Sequence, residues 1–162
     1  MTGFKFKQFE IHQDRCAMKV GTDGVLLGAW APGGKRILDV GSGTGLISLM
    51  MAQRFPEAQV LGIDMDGEAC EEAAENVAAS PFADRVGIEC CRLQDFHSEE
   101  SFDAIVSNPP FFLNSLKNPD SKRTMARHTD SLPFRDLFRG AKMLLSDDGV
   151  FSVIVPSEVL EV

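Results

Sequence analysis

Residues 4–11 alternate apolar and polar side chains for eight positions. That period of two predicts a strand with one wet face, paired in a hairpin with residues near 15–19. Thr22 or Asp23 then sits where a helix cap belongs, ahead of the apolar run Val25 to Trp30, and Pro32-Gly33-Gly34 ends that helix. From residue 36 the rhythm changes to short apolar runs alternating with amphipathic stretches. Strands are predicted at 36–40, 59–63, 86–90, 102–106 and 150–155. Helices are predicted at 45–55, 67–79 and 134–145, and a loop at 91–98. Regular β/α alternation with short connections predicts an α/β fold: a doubly wound, mainly parallel sheet with helices on both faces. Residues 1–34 read as a small hairpin-and-helix cap and 35–162 as the core of a single domain.

The most informative junction is the first of these strand-to-helix turns. Ile37, Leu38 and Val40 form a strand buried on both faces, and it runs into Gly41, Gly43 and Gly45. Glycines at alternate positions let the chain bend sharply and let a ligand come close. The dinucleotide fingerprint G-x-G-x-x-G is not met, because its third glycine position is Leu46. The strand ends instead in Asp39, a carboxylate that would repel a pyrophosphate and suits a ligand carrying an ammonium group. The second strand also ends in an acid, Asp64, nineteen residues after Gly45. That is about where a ribose-binding carboxylate belongs. Together these residues point to a nucleoside with a positive charge, and the pattern resembles the S-adenosylmethionine (SAM) site of class I methyltransferases.

Two further loops follow strand ends. Asp95 after the third strand can accept a hydrogen bond from an exocyclic amine, and Phe96 beside it can supply an apolar wall. After the fourth strand comes Ser107-Asn108-Pro109-Pro110-Phe111-Phe112. Two prolines fix φ twice and offer no donors. The Asn108 side chain and the Pro109 backbone each present a carbonyl. Two such acceptors hold both hydrogens of a planar amine while its lone pair turns towards a sulfonium methyl. Phe111 can stack on a flat ring, worth about 1–3 kcal/mol per base.

N-P-P-F in this position resembles the motif of class I methyltransferases that act on exocyclic amines: adenine-N6 enzymes on DNA and RNA, guanine-N2 enzymes on rRNA, and the glutamine-N5 enzyme on release factors. The stretch from Lys7-Gln8-Phe9 through Asp14 to Trp30 narrows this. It looks like the opening of the bacterial tRNA(Val) adenine-N6 methyltransferase family, and the match covers essentially the whole chain. The resemblance implies SAM as cofactor, with no metal, and tRNA as partner. It implies that Gly41, Gly43 and Gly45 line the SAM site, with Asp39 and Met65 also in it. Asp64 would bind the ribose hydroxyls and Asp95 the adenine amine. Lys19 and Thr22, in the segment to Asp23, would lie over the methionine end. Asn108, Pro109, Pro110 and Phe111 would hold the target adenine, with Asn108 also bordering the cofactor. The family continues through two further strands, so this chain reads as C-terminally truncated. Its 150–155 strand, apolar on both faces, is expected either to be covered by another copy or to be unusually exposed.

Charge and composition adjust this picture without deciding it. The net charge of −8 disfavours a nucleic-acid partner at first sight, but it is unevenly spread: residues 1–36 carry +3, residues 37–107 carry −11 and residues 108–162 are neutral. The acid sits in the cofactor half, where Glu68, Glu71, Glu72 and Glu75 read as a solvated helix face. The loop with Lys117, Lys122, Arg123, Arg127 and His128 reads equally as phosphate contacts or as plain surface. The four cysteines lack metal-type spacing, and free thiols in a reducing cytoplasm are the plain expectation. No stretch is apolar and long enough to span a membrane. Other readings remain open from the residues alone. They are methylation of rRNA guanine or protein glutamine, a SAM-binding module without catalysis, and NAD-dependent oxidation, which the glycine spacing and Asp39 oppose.

Overall fold

The computed structural model describes residues 3–6, 8–15, 21–109 and 133–155. Lys19, Pro110, Phe111 and the loop from Lys117 to His128 lie outside these residues.

Strands β3 (Arg36–Val40), β4 (Gln59–Asp64), β5 (Val86–Cys90), β6 (Phe102–Ser107) and β7 (Leu145–Val153) form one sheet in the order β5-β4-β3-β6-β7. Every pairing is parallel. The chain builds outward from β3 to β5, then returns to β6 on the other side of β3. The carboxyl ends of β3 and β6 therefore flank a switch point, where an open α/β sheet forms its ligand crevice.

Side chains alternate across the sheet and define two cores. Ile37, Val60, Val86, Ala104 and Val106 face one side, where helices α1 (Thr22–Trp30), α2 (Leu46–Arg54) and α3 (Gly67–Ala78) add Leu27, Leu49 and Val77. Leu38, Val40, Ile63 and Ile105 face the other, against Leu137 and Ala141 of α4 (Phe134–Leu144) and Leu93 of a single 3-10 turn. Two arginines close helix ends on the first side. The Arg54 guanidinium donates to the carbonyls of Gly28 and Ala31 at 2.9 and 2.8 Å. Arg85 donates to those of Ala52, Phe55 and Ala58. These carbonyls sit at or beyond the last turns of α1 and α2, where helical partners run out.

Four expectations change. The alternating stretch 4–11 is not one strand. It folds on itself as β1 (Gly3–Lys5) and β2 (Glu10–His12), antiparallel, with Phe6 N–H donating to Phe9 O at 2.8 Å across the bend. Alternation fixes which side chains share a face, but a bend at Phe6–Phe9 lets the rings stack at 4.8 Å and bury Phe9 in the core. Helix α1 is capped by Gly21, with no side-chain cap from Thr22 or Asp23. The face of α3 is not merely solvated, because Glu72 is buried. Finally, β7 begins directly after α4, and Asp147-Asp148-Gly149 forms an irregularity inside it, between the pairs Phe102↔Leu145 and Ala104↔Val150. Among the described residues β7 has one strand neighbour, β6, and only Ser152 along it is buried. What changes is the start of the strand, at Leu145 rather than 150; its exposure is one of the two outcomes expected for it.

Candidate active site

The turn from β3 to α2 is a left-handed glycine loop. Gly41, Gly43 and Gly45 have φ of 75°, 53° and 87°, a region in which a Cβ is strained. The amides of Gly41 and Ser42 both donate to Ile63 O, at 2.8 and 2.9 Å, so the loop is fastened to the end of β4. The same strand end carries Asp64. One of its carboxylate oxygens accepts from Gly43 N–H at 2.8 Å and the other from Asp66 N–H at 2.9 Å. Burial raises the Asp64 pKa above its ordinary value, and these two amides pull the other way. Two amides thus hold the carboxylate in one orientation, leaving further lone pairs for hydroxyl donors.

Asp39 is fully buried behind the loop. Its Oδ2 accepts from Ser48 Oγ at 2.8 Å, while Oδ1 has no partner among the described residues. Burial, with a smaller contribution from the Asp64 charge, pushes the carboxyl up to about 7 against the bond from Ser48. Ser42 Oγ is also buried without a partner. Two unused acceptor sites under a glycine loop fit a ligand that brings its own N–H or O–H donors.

The end of β6 lies beside this loop. Ser107 Oγ donates to Val40 O at 2.8 Å, tying the residue before Asn108 to the residue before Gly41. Ile154 N–H donates to Ser107 O at 3.2 Å from the other side. Pro109 is buried and Asn108 is half-buried. Helix α1 flanks them: a Cβ on Gly24 would lie 3.4 Å from both Asn108 Nδ2 and a Leu46 methyl.

The remaining candidates are placed less tightly. Met65 follows Asp64 and is half-buried, and Thr22 is exposed at the start of α1. Asp95 lies in the turn Leu93–Asp95, largely exposed, in an ion pair with Arg92 at 3.1 Å. Phe96 packs into the second core near Phe102, with ring centroids 6.2 Å apart. Among the described residues, no cluster of three or more His, Cys, Asp or Glu could hold a metal ion, and no helix is long and apolar enough to cross a membrane.

Sequence reasoning passes over three polar side chains that organise the site: Ser48, Ser107 and Asn76. Asn76 bridges the glycine loop and the N-terminal segment. The buried face of α3 reads Ala69, Cys70, Glu72, Ala73, Asn76, Val77. Two polar residues on an otherwise small apolar stripe are the signal that could have found the last of the three.

Comparison with known proteins bears on the same residues. A family model described as the methyltransferase small domain matches residues 21–160. A curated tRNA1(Val) (adenine(37)-N6)-methyltransferase from Phocaeicola vulgatus is 57% identical over 157 residues, 96% of this chain and 67% of its own length. The chain belongs to this methyltransferase family. A relative with the same description from Bacteroides thetaiotaomicron is 50% identical over 98% of this chain and 68% of its own. The methyltransferase chain thus spans about two thirds of the length of these relatives. Solved structures share the fold: a glycopeptide N-methyltransferase, MtfA, in complex with SAM aligns with a TM-score of 0.57 at 15% identity, covering 86% of this chain and 56% of that one. The CcbJ methyltransferase from Streptomyces caelestis aligns at 0.54 and 21%, covering 80% and 45%.

Proposed function

We propose that this methyltransferase transfers the SAM methyl group to the N6 amine of an adenine in tRNA, next to the anticodon. The observation that carries the chemistry is the Ser107–Val40 hydrogen bond, which sets Asn108 and Pro109 beside the glycine loop. The substrate assignment is supported by relatives described as tRNA1(Val) (adenine(37)-N6)-methyltransferases at 50–57% identity. Tethered acceptors next to a cofactor loop are what amine alkylation needs, because the amine must be held in near-attack geometry.

The residues present fit SAM. Asp64 offers a fixed carboxylate to the ribose hydroxyls. The unused Asp39 Oδ1 and Ser42 Oγ, with the open loop of Gly41, Gly43 and Gly45, suit the positively charged methionine end. Met65, Asp95 and Phe96 take the adenine side, for which Asp95 must exchange its exposed partner Arg92. Exposed ion pairs are worth about 0–1 kcal/mol, so that exchange is cheap. The resemblance assigns the methionine end also to Thr22, at the start of α1, and to Lys19, which lies outside the described residues. The cofactor supplies an electrophilic methyl on a sulfonium. The protein's part is orientation: the Asn108 side-chain carbonyl and Pro109 backbone carbonyl accept the two amine hydrogens, and the motif assigns the base to Pro110 and Phe111, which lie outside the described residues. With SAM bound, the amine nitrogen held by Asn108 and Pro109 would take the methyl group and release one proton to solvent. Such a protein works where tRNA is, in the cytoplasm, and the outer edge of β7, without a strand neighbour among the described residues, is a candidate surface for self-association.

The test is incubation with methyl-labelled SAM and separated pools of tRNA, rRNA and protein. Label is expected in tRNA as N6-methyladenine. Label confined to rRNA guanine or to protein glutamine would replace this substrate, and SAM binding without transfer to any pool would make the chain a binding module.

A further inference from the structure

The Asn76 side chain is fully buried and engages two separate segments. Its Oδ1 accepts from His12 N–H at 2.8 Å. Its Nδ2 donates to His12 O at 2.9 Å and to Thr44 O at 2.8 Å. The network fixes the amide's orientation, since one partner is a donor and two are carbonyls. Asn76 thereby meets both backbone groups of the last β2 residue and grips the glycine loop between Gly43 and Gly45. One turn earlier on α3, Glu72 accepts from Arg15 N–H at 3.0 Å, and the Arg15 guanidinium pairs with Glu71, Glu72 and Glu75. The same helix supports the loop directly: a Cβ on Gly45 would sit 3.4 Å from that of Ala73. Residues 12–15 are thus pinned by two side chains spaced i, i+4, and Asn76 also holds the cofactor loop.

We infer that Asn76 is a positioning residue for SAM, fixing the glycine loop through the Thr44 carbonyl and coupling it to the N-terminal β2 strand through His12. This rests on the assignment of SAM to the glycine loop. Without Asn76 the Thr44 carbonyl loses its buried donor and turns towards other partners, so the loop's amides no longer present one arrangement. The coupling is reciprocal: whatever orders the loop must also tighten His12.

Calorimetry and kinetics on the wild-type chain, Asn76→Ala and Glu72→Gln test this. Asn76→Ala is expected to raise the Kd for SAM about tenfold, the scale of one lost buried hydrogen bond, with kcat at saturating SAM within about twofold of wild type. Glu72→Gln weakens the Arg15 anchor and leaves the Asn76 bonds to His12 and Thr44 in place. It is expected to lower Tm while leaving the SAM Kd within about twofold. Hydrogen exchange on the wild-type chain needs no variant: saturating SAM should slow the His12 amide together with the amides of Gly43 and Gly45. A folded Asn76→Ala with unchanged Kd, an equal Kd shift in Glu72→Gln, or a His12 amide indifferent to SAM while the loop amides slow would each overturn the inference. A wild-type chain that does not bind SAM fails differently, by removing the cofactor assignment itself.

Discussion

Asp39 makes a quantitative prediction. It is buried, and its carboxyl is pushed up to about 7 from an ordinary 3.8. The folded chain therefore keeps a proton between those values that the unfolded chain has lost. Across that window stability falls as pH rises, by about 1.4 kcal/mol per unit for this group. Over the full window the ionised carboxylate costs up to about 4 kcal/mol, borne in full above pH 7. Asp39→Asn removes that dependence while keeping an oxygen for Ser48 Oγ. It also leaves an amide N–H at the position of the unpaired Oδ1, which costs about 1–3 kcal/mol. The net expectation is a variant more stable than wild type by on the order of 1–3 kcal/mol at pH 8, less stable at pH 4, with weaker SAM binding. Urea unfolding at intervals from pH 4 to pH 9 measures both curves. Asp64 is shifted in the same direction, so the variant should retain part of the slope. Parallel curves for the two proteins, or a variant less stable at pH 8, would refute the account of Asp39 as a buried, costly acid.

Asp64→Ala should weaken SAM by roughly 1–3 kcal/mol, since it removes a charged acceptor and also frees Gly43 N–H; unchanged affinity by calorimetry would refute the ribose role. Asn108→Ala should cut methyl transfer strongly with SAM affinity nearly intact, because its proposed contacts are to the amine in the transition state. Parallel loss of both would make Asn108 structural. Leu49→Ala, at a fully buried position of α2, should cost about 2–5 kcal/mol in urea unfolding, with the SAM Kd of the folded protein little changed. Transfer to tRNA should fall steeply with salt as phosphate contacts are lost, and a flat salt profile would argue against a polyanionic substrate.

The sheet, the order of its elements and the acid at each of its first two strand ends were legible in the sequence. Apolar runs, glycines with no tolerated substitute and prolines that stop helices are local signals, and they report local geometry. Gly41, Gly43 and Gly45 at positive φ are the clearest case. The bend at Phe6–Phe9 was not legible, because stacking of Phe6 on Phe9 outweighs a regular alternation only when a core is there to receive Phe9. Nor was the split among the α3 acids, since Glu71 and Glu72 both pair with Arg15 and differ in which one is buried. The start of β7 at Leu145 was not legible either, because Asp147, Asp148 and Gly149 are poor strand formers and the ladder carries them as an irregularity only where β6 lies alongside. The chemical groups, and the turn that presents them, are written in the order of residues. Which of these groups meet is settled by the fold: Ser48 with Asp39, Ser107 with Val40, and Asn76 with both His12 and Thr44. Those contacts join residues far apart in the chain or on different elements, and a hydrogen bond forms only when folding brings its donor and acceptor to within about 3 Å.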